Sequence, residues 1–109
     1  MANNDRYFFT SGVSGEKDGT GAAIDIDCGF QPVKVELLNV DDAGGATDAV
    51  WLKGMPAASA RKWVDSGAGT TNGFYITSNG ITVGNRGFTI GTDGDINASG
   101  ETIHWVAWR

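Results

Sequence analysis

The sequence predicts an all-β fold: an antiparallel β-sandwich or small barrel of about seven to eight strands with an N-terminal arm. Apolar and polar residues alternate over short runs, Gly, Asn and Asp clusters separate those runs, and helix-forming composition is confined to one stretch. Seventeen glycines against two prolines and 19% charged residues make the chain turn-rich and weakly charged. Its 40% hydrophobic share, with four tryptophans, supplies the apolar surface that a disordered chain lacks. One domain is all that 109 residues support. No repeat of about 20–50 residues recurs, so a solenoid or propeller is not supported.

Residues 1–20 read as the arm and 21–109 as the β-sandwich domain. The arm has a polar start, the cluster Tyr7, Phe8 and Phe9, and then a glycine-, serine- and charge-rich stretch with little to bury, expected to be a flexible linker. From Ala22, Ile24 and Ile26 alternate with Asp25 and Asp27, the period of a half-buried strand. After a turn at 29–32, Val33, Val35 and Leu37 alternate with Lys34 and Glu36. The phase then slips at Leu38 and Val40, which predicts a bulge or a strand buried on both faces.

The segment 41–49 reads as a polar, glycine-containing hairpin connection, followed by a strand at Val50, Trp51 and Leu52. Residues 56–64 carry the one helical composition, with Pro56 suited to a first turn and Ala57, Ala58, Ala60, Arg61 and Lys62 to propagation, so at most two helical turns are expected there. Strands at 74–77, 81–83 and 88–90 read as a meander, with Asn79-Gly80 and Gly84-Asn85 supplying the positive φ of hairpin turns. The last segment, Glu101 to Arg109, is apolar at both alternating sets of positions and is expected to lie centrally in the sheet.

A net charge of −5 and scattered basic residues argue against direct nucleic-acid binding. No apolar run reaches the roughly 20 residues of a membrane helix, and the N-terminal residues lack the pattern of a signal peptide. The expectation is therefore synthesis in the cytoplasm with no membrane partner. One cysteine and one histidine give neither an internal disulfide nor a closed Cys/His zinc site.

Candidate chemistry is sparse. Asp93, Asp95 and Asn97 place oxygen side chains at alternate positions, as the first half of a calcium loop does. Ala98 then stands where that loop needs glycine and His104 where it needs glutamate, so a polar Asp-Gly turn is the reading, with no metal. Asn97-Ala98-Ser99 has the form of a glycosylation acceptor but reads as a turn. Cys28 and His104 fall within apolar strands, and no glycine-rich nucleophile turn precedes the cysteine. Asp25 and Asp27 read as solubilising an edge. Phosphate-loop and dinucleotide motifs are absent, so neither an enzyme nor a cofactor is expected.

Tryptophans 51, 63, 105 and 108 have three uses open to them: core filling, sugar-stacking platforms, and anchors in a subunit interface. Trp105 and Trp108 project to opposite faces of the last strand, so a partner must cover one of them. The arm aromatics also need cover, either as a first strand on the domain's own sheet or against a neighbouring subunit. Tyr7, Phe8, Phe9, Trp63 and Trp108 are the candidate partner-binding residues.

The order of motifs carries a resemblance. Gly29-Phe30-Gln31-Pro32 leading into Val33-Lys34-Val35, a tryptophan strand, Asn72-Gly73, Gly87-Phe88-Thr89-Ile90-Gly91 and residues 97–107 together resemble a β-sandwich module of small virion proteins in tailed bacteriophages. The similarity spans about residues 20–109. Such modules occur in tail and fibre proteins and are similar to stand-alone capsid decoration (cement) proteins, which often form trimers on the outside of the shell. With no repetitive shaft or second domain here, the resemblance implies a homotrimer that binds the major capsid protein and stabilises the outer capsid surface. A tail- or fibre-associated carbohydrate- or receptor-binding module is the alternative.

Overall fold

The computed structural model describes residues 6–9, 11–40, 45–65 and 69–109. They form nine strands: β1 (Arg6–Phe9), β2 (Gly12–Asp18), β3 (Ile24–Asp27), β4 (Lys34–Val40), β5 (Ala46–Leu52), β6 (Ser59–Asp65), β7 (Thr71–Val83), β8 (Gly87–Ile90) and β9 (Thr102–Trp108). All belong to one sheet of order β1-β2-β9-β4-β5-β6-β7-β8-β3, with every neighbouring pair antiparallel. The fold is all-β, and no helix occurs among the described residues.

The sheet curls into a half-barrel because its inward side chains must find one another. Phe88 on β8 meets Trp105 on β9 edge-to-face, with ring centroids 5.5 Å apart, although four strands separate β8 from β9 in the sheet order. Val35 and Leu37 of β4 stand in register with Ala107 and Trp105 of β9, so the two strands supply one inward row of side chains. Val13, Ile24, Ile26, Ile81, Ile90 and Ile103 complete this core. The last segment lies between β2 and β4, as its two apolar faces predict.

The segment 91–101 lies under the concave face as a plug. Ile96 is buried in the core and Asn97 is only 1% exposed. The Asn97 Oδ1 accepts from the N–H groups of Thr20 (2.9 Å) and Gly21 (3.2 Å), while Nδ2 donates to the carbonyls of Ala22 (2.7 Å) and Gly91 (2.9 Å). Asn39, inward on β4, donates to the carbonyls of Asp95 and Ile96 and to the Glu101 carboxylate. Lys62, inward on β6, bridges Asp93 and Asp95 at 2.7 Å each. A plug of irregular backbone can be buried because such groups pair its polar atoms.

Four expectations are corrected. Residues 59–65 form β6 in place of a helix: Ala58 sits at φ 64°, and Ala60 and Lys62 point inward between β5 and β7. Helix propensities differ by only about 0.5 kcal/mol per residue, less than two-sided strand pairing supplies. The Ser78-Asn79-Gly80 turn is no hairpin, because 71–83 is a single strand in which a bulge takes up residues 77–80. Asn79 holds φ 61° there, and a Cβ on Gly80 would stand 2.7 Å from the Ser59 backbone. The phase slip at Leu38 is neither a bulge nor double burial: β4 alternates without interruption, and Asn39 occupies the inward position that an apolar residue was expected to hold.

The fourth correction concerns the arm. Residues 12–18, expected as a flexible linker, are β2, hydrogen-bonded along their length to β9, with Val13 and Gly15 buried. Residues 6–9 continue the sheet as β1, with Tyr7 opposite Ser14 and Phe8 opposite Val13. The boundary expected near residue 20 therefore does not separate an arm from the sheet.

Candidate functional site: the outer face of the sheet

The alternation that fills the core sends the other half of β2, β9, β4, β5 and β6 outward. The register aligns these residues in rows. One row runs Glu16, His104, Leu38, Asp48 and Trp63, and the next runs Ser14, Val106, Glu36, Val50 and Arg61. Between them lies a trough of about 520 Å³ lined by these side chains, with Arg61 outside it, and floored by the backbone of the strands. Leu38 is 37% exposed and Trp63 39%, and Val50 and Val106 are half-buried. The curl leaves the trough open, since nothing in the chain packs over its mouth among the described residues.

Trp63 stands at one wall because its cross-strand neighbour is Gly73. A Cβ at Gly73 would come within 2.7 Å of the Arg61 guanidinium and 3.4 Å of the Trp63 ring. Arg61 lies over that ring at 5.2 Å, and Lys34 lies over Trp108 at 5.8 Å. The carboxylates around the trough are Glu16, Glu36 and Asp48. Glu16 stands 3.9 Å from His104, and Glu36 pairs with Lys34 at 3.3 Å.

The predicted partner residues fall in three places. Trp63 is in the trough wall. Trp108 is on the same outer face but near the end of β9, outside the trough, while Trp51 and Trp105 are in the core. Tyr7, Phe8 and Phe9 lie on β1, at the edge of the sheet. Leu38, Val50 and Val106 were missed as site residues. Their signal was present in the phase slip at Leu38 and in the doubly apolar last strand, each of which marks apolar side chains beyond what one face needs.

The remaining candidates do not assemble a reaction centre. Cys28 is buried, its thiol donating to the Phe30 carbonyl at 3.3 Å, and burial pushes its pKa up, which opposes thiolate formation. His104 points outward on β9, away from that core. Asp25 accepts from the Thr89 hydroxyl at 2.6 Å, and Asp27 faces Arg86 at 3.5 Å, both on the edge strand β3, where charge blunts the edge. Asp93 forms the expected polar turn, accepting from the N–H groups of Asp95 and Ile96, and both aspartates receive the Lys62 ammonium. The Asn97 amide is committed on both sides inside the fold, which leaves no free nitrogen for a glycan. No helix among the described residues is long and apolar enough to cross a membrane.

No family model, curated protein or solved structure matches the chain.

Proposed function

We propose that this chain is a non-enzymatic structural protein of a virion, a capsid decoration protein that docks on the major capsid protein through the outer face of its sheet and acts as a homotrimer. The observation that supports it is the trough, where Leu38, Val50, Val106 and Trp63 gather apolar surface that the filled core does not use. An exposed apolar patch, here with carboxylates set among its side chains, marks a surface that a partner covers. The resemblance of the 20–109 motifs to small phage virion modules supplies the partner. Glycan stacking is less well supported, because one ring face of each outward tryptophan already carries a cation. The trimer is proposed on the placement of Trp105 and Trp108 on opposite faces of β9 and on the fit of a closed oligomer to a three-fold site of a shell.

Binding only to the assembled shell stabilises it by linkage. The test is to isolate particles of the encoding phage with and without this chain. Complete particles are expected to carry it in stoichiometric copies on the outside and to keep their DNA to a higher temperature. Matching rupture curves, or absence of the chain from the shell, would overturn the reading. Sedimentation of the free protein at tens of micromolar checks the trimer.

A further inference from the structure

We propose that the trough receives a basic, amphipathic protein segment, one that presents lysine or arginine side chains beside apolar ones. This rests on the docking reading above and names the chemistry of the surface that docks. Among the residues lining the trough, the ionisable ones are Glu16, Glu36, Asp48 and His104, so at neutral pH its charge is negative. The nearby cations offset only part of it: Lys34 pairs with Glu36 at 3.3 Å and Arg61, stacked on Trp63, keeps its charge beside the trough, so two cations stand against three carboxylates.

The carboxylates are interleaved with the apolar side chains along the register, not gathered at one rim. Asp48 lies opposite both Leu38 and Trp63, and Glu36 lies opposite Val50 and Val106. A purely apolar partner would cover these carboxylates without pairing them, which costs free energy. An acidic one would be repelled. A basic group on an apolar stem meets both demands, because its methylenes lie on Leu38 and Val50 while its head reaches a carboxylate.

A second copy of this chain does not fit the same role. Docking two troughs would set Glu16, Glu36 and Asp48 against their own counterparts, and the whole chain carries 13 Asp and Glu against 8 Lys and Arg. Nucleic acid is refused for the same reason. A two-fold contact of trough on trough is thereby disfavoured, which leaves the trough to a partner of opposite charge.

Calorimetric titration of the full chain with three short synthetic peptides, alternating leucine with lysine, with serine or with glutamate, tests the inference. The lysine peptide is expected to bind, to shift the backbone amide signals of Leu38, Asp48, Val50 and Trp63, and to lose about tenfold in affinity in high salt. The double variant Glu36→Gln, Asp48→Asn, whose changes are at exposed positions, is expected to melt as the parent does and to bind the lysine peptide about tenfold more weakly. Equal binding of the serine peptide, full affinity in the double variant, amide shifts elsewhere on the surface, or no binding would each overturn the inference. Shell binding of the unaltered chain is measured alongside. If it holds while the peptide result fails, docking survives with a partner of different chemistry; if it fails while the lysine peptide binds, the acidic trough stands and the capsid reading falls.

Discussion

The two faces of the same five strands obey different rules. On the concave side of β2, β9, β4, β5 and β6, most polar groups that enter are held: the Asn39 amide nitrogen by three acceptors, Lys62 by two carboxylates, and the plug by Asn97, while the Asn39 Oδ1 and the Trp105 Nε1 are buried without a hydrogen-bond partner. On the convex side, leucine, valine and tryptophan stand beside carboxylates in a trough open to solvent. Folding explains most of the inner set, since burial of apolar surface and pairing of polar groups is what a core requires. It leaves the outer apolar set unexplained. The residues that do not serve the fold are thus the ones from which function is read.

If the faces differ in this way, substitutions should separate into two classes. The largest effect is expected for Trp105→Ala, which removes a 3% exposed ring packed on Phe88 and should cost about 4 kcal/mol in urea unfolding. Asn97→Ala should follow at about 3 kcal/mol, because it orphans the Thr20 and Gly21 donors and the Ala22 and Gly91 carbonyls inside the plug. A loss under about 0.5 kcal/mol for Asn97→Ala would mean that the plug is not what closes the concave face.

Lys62→Met comes next, at about 2 kcal/mol, since it strips the counter-charge from a mostly buried Asp93 while Asp95 still reaches water. It also carries a pH signature. Burial by itself depresses the ammonium, but hydrogen bonds and charge from Asp93 and Asp95 outweigh burial and hold the Lys62 pKa above its ordinary 10.5. A raised pKa in the folded state means that the contribution is complete below pH 10.5 and is lost as pH climbs through the higher folded value. Alkaline melting curves should show this loss in the parent and not in Lys62→Met.

The smallest stability effect belongs to the outer face. Leu38→Ser and Trp63→Ser are each expected to change unfolding free energy by no more than about 0.5 kcal/mol. Their effect should appear in binding.

The sequence was legible where one physical signal acted alone. Period-two alternation placed β3, β4 and β9, and the expected Gly84–Gly87 hairpin forms, its Gly84 N–H bonding the Gly87 carbonyl at 2.9 Å, although without the positive φ expected at Gly84-Asn85. It misled where a residue's neighbours, distant in the chain, reversed its local preference. Ala60 and Lys62 favour helix, but β7 pairs with both, β5 pairs with Lys62 on the other side, and Asp93 waits 31 residues away for the ammonium. The stretch 12–18 looks like linker because glycine and serine bury little, yet β9 presents the edge that it completes. The outer site was half legible: Trp63 and Trp108 were marked as surplus, whereas Leu38 was absorbed into a supposed bulge because nothing local says that Asn39 turns inward to meet the plug.

The most direct test of that division is one double variant, Leu38→Ser with Trp63→Ser, followed by melting and by binding to shells that lack the chain. A melting temperature matching the parent, together with lost shell occupancy, is the predicted result. Parental occupancy by the variant, or a loss of stability as large as that of Asn97→Ala, would contradict the claim that the outer apolar residues serve docking and not the fold.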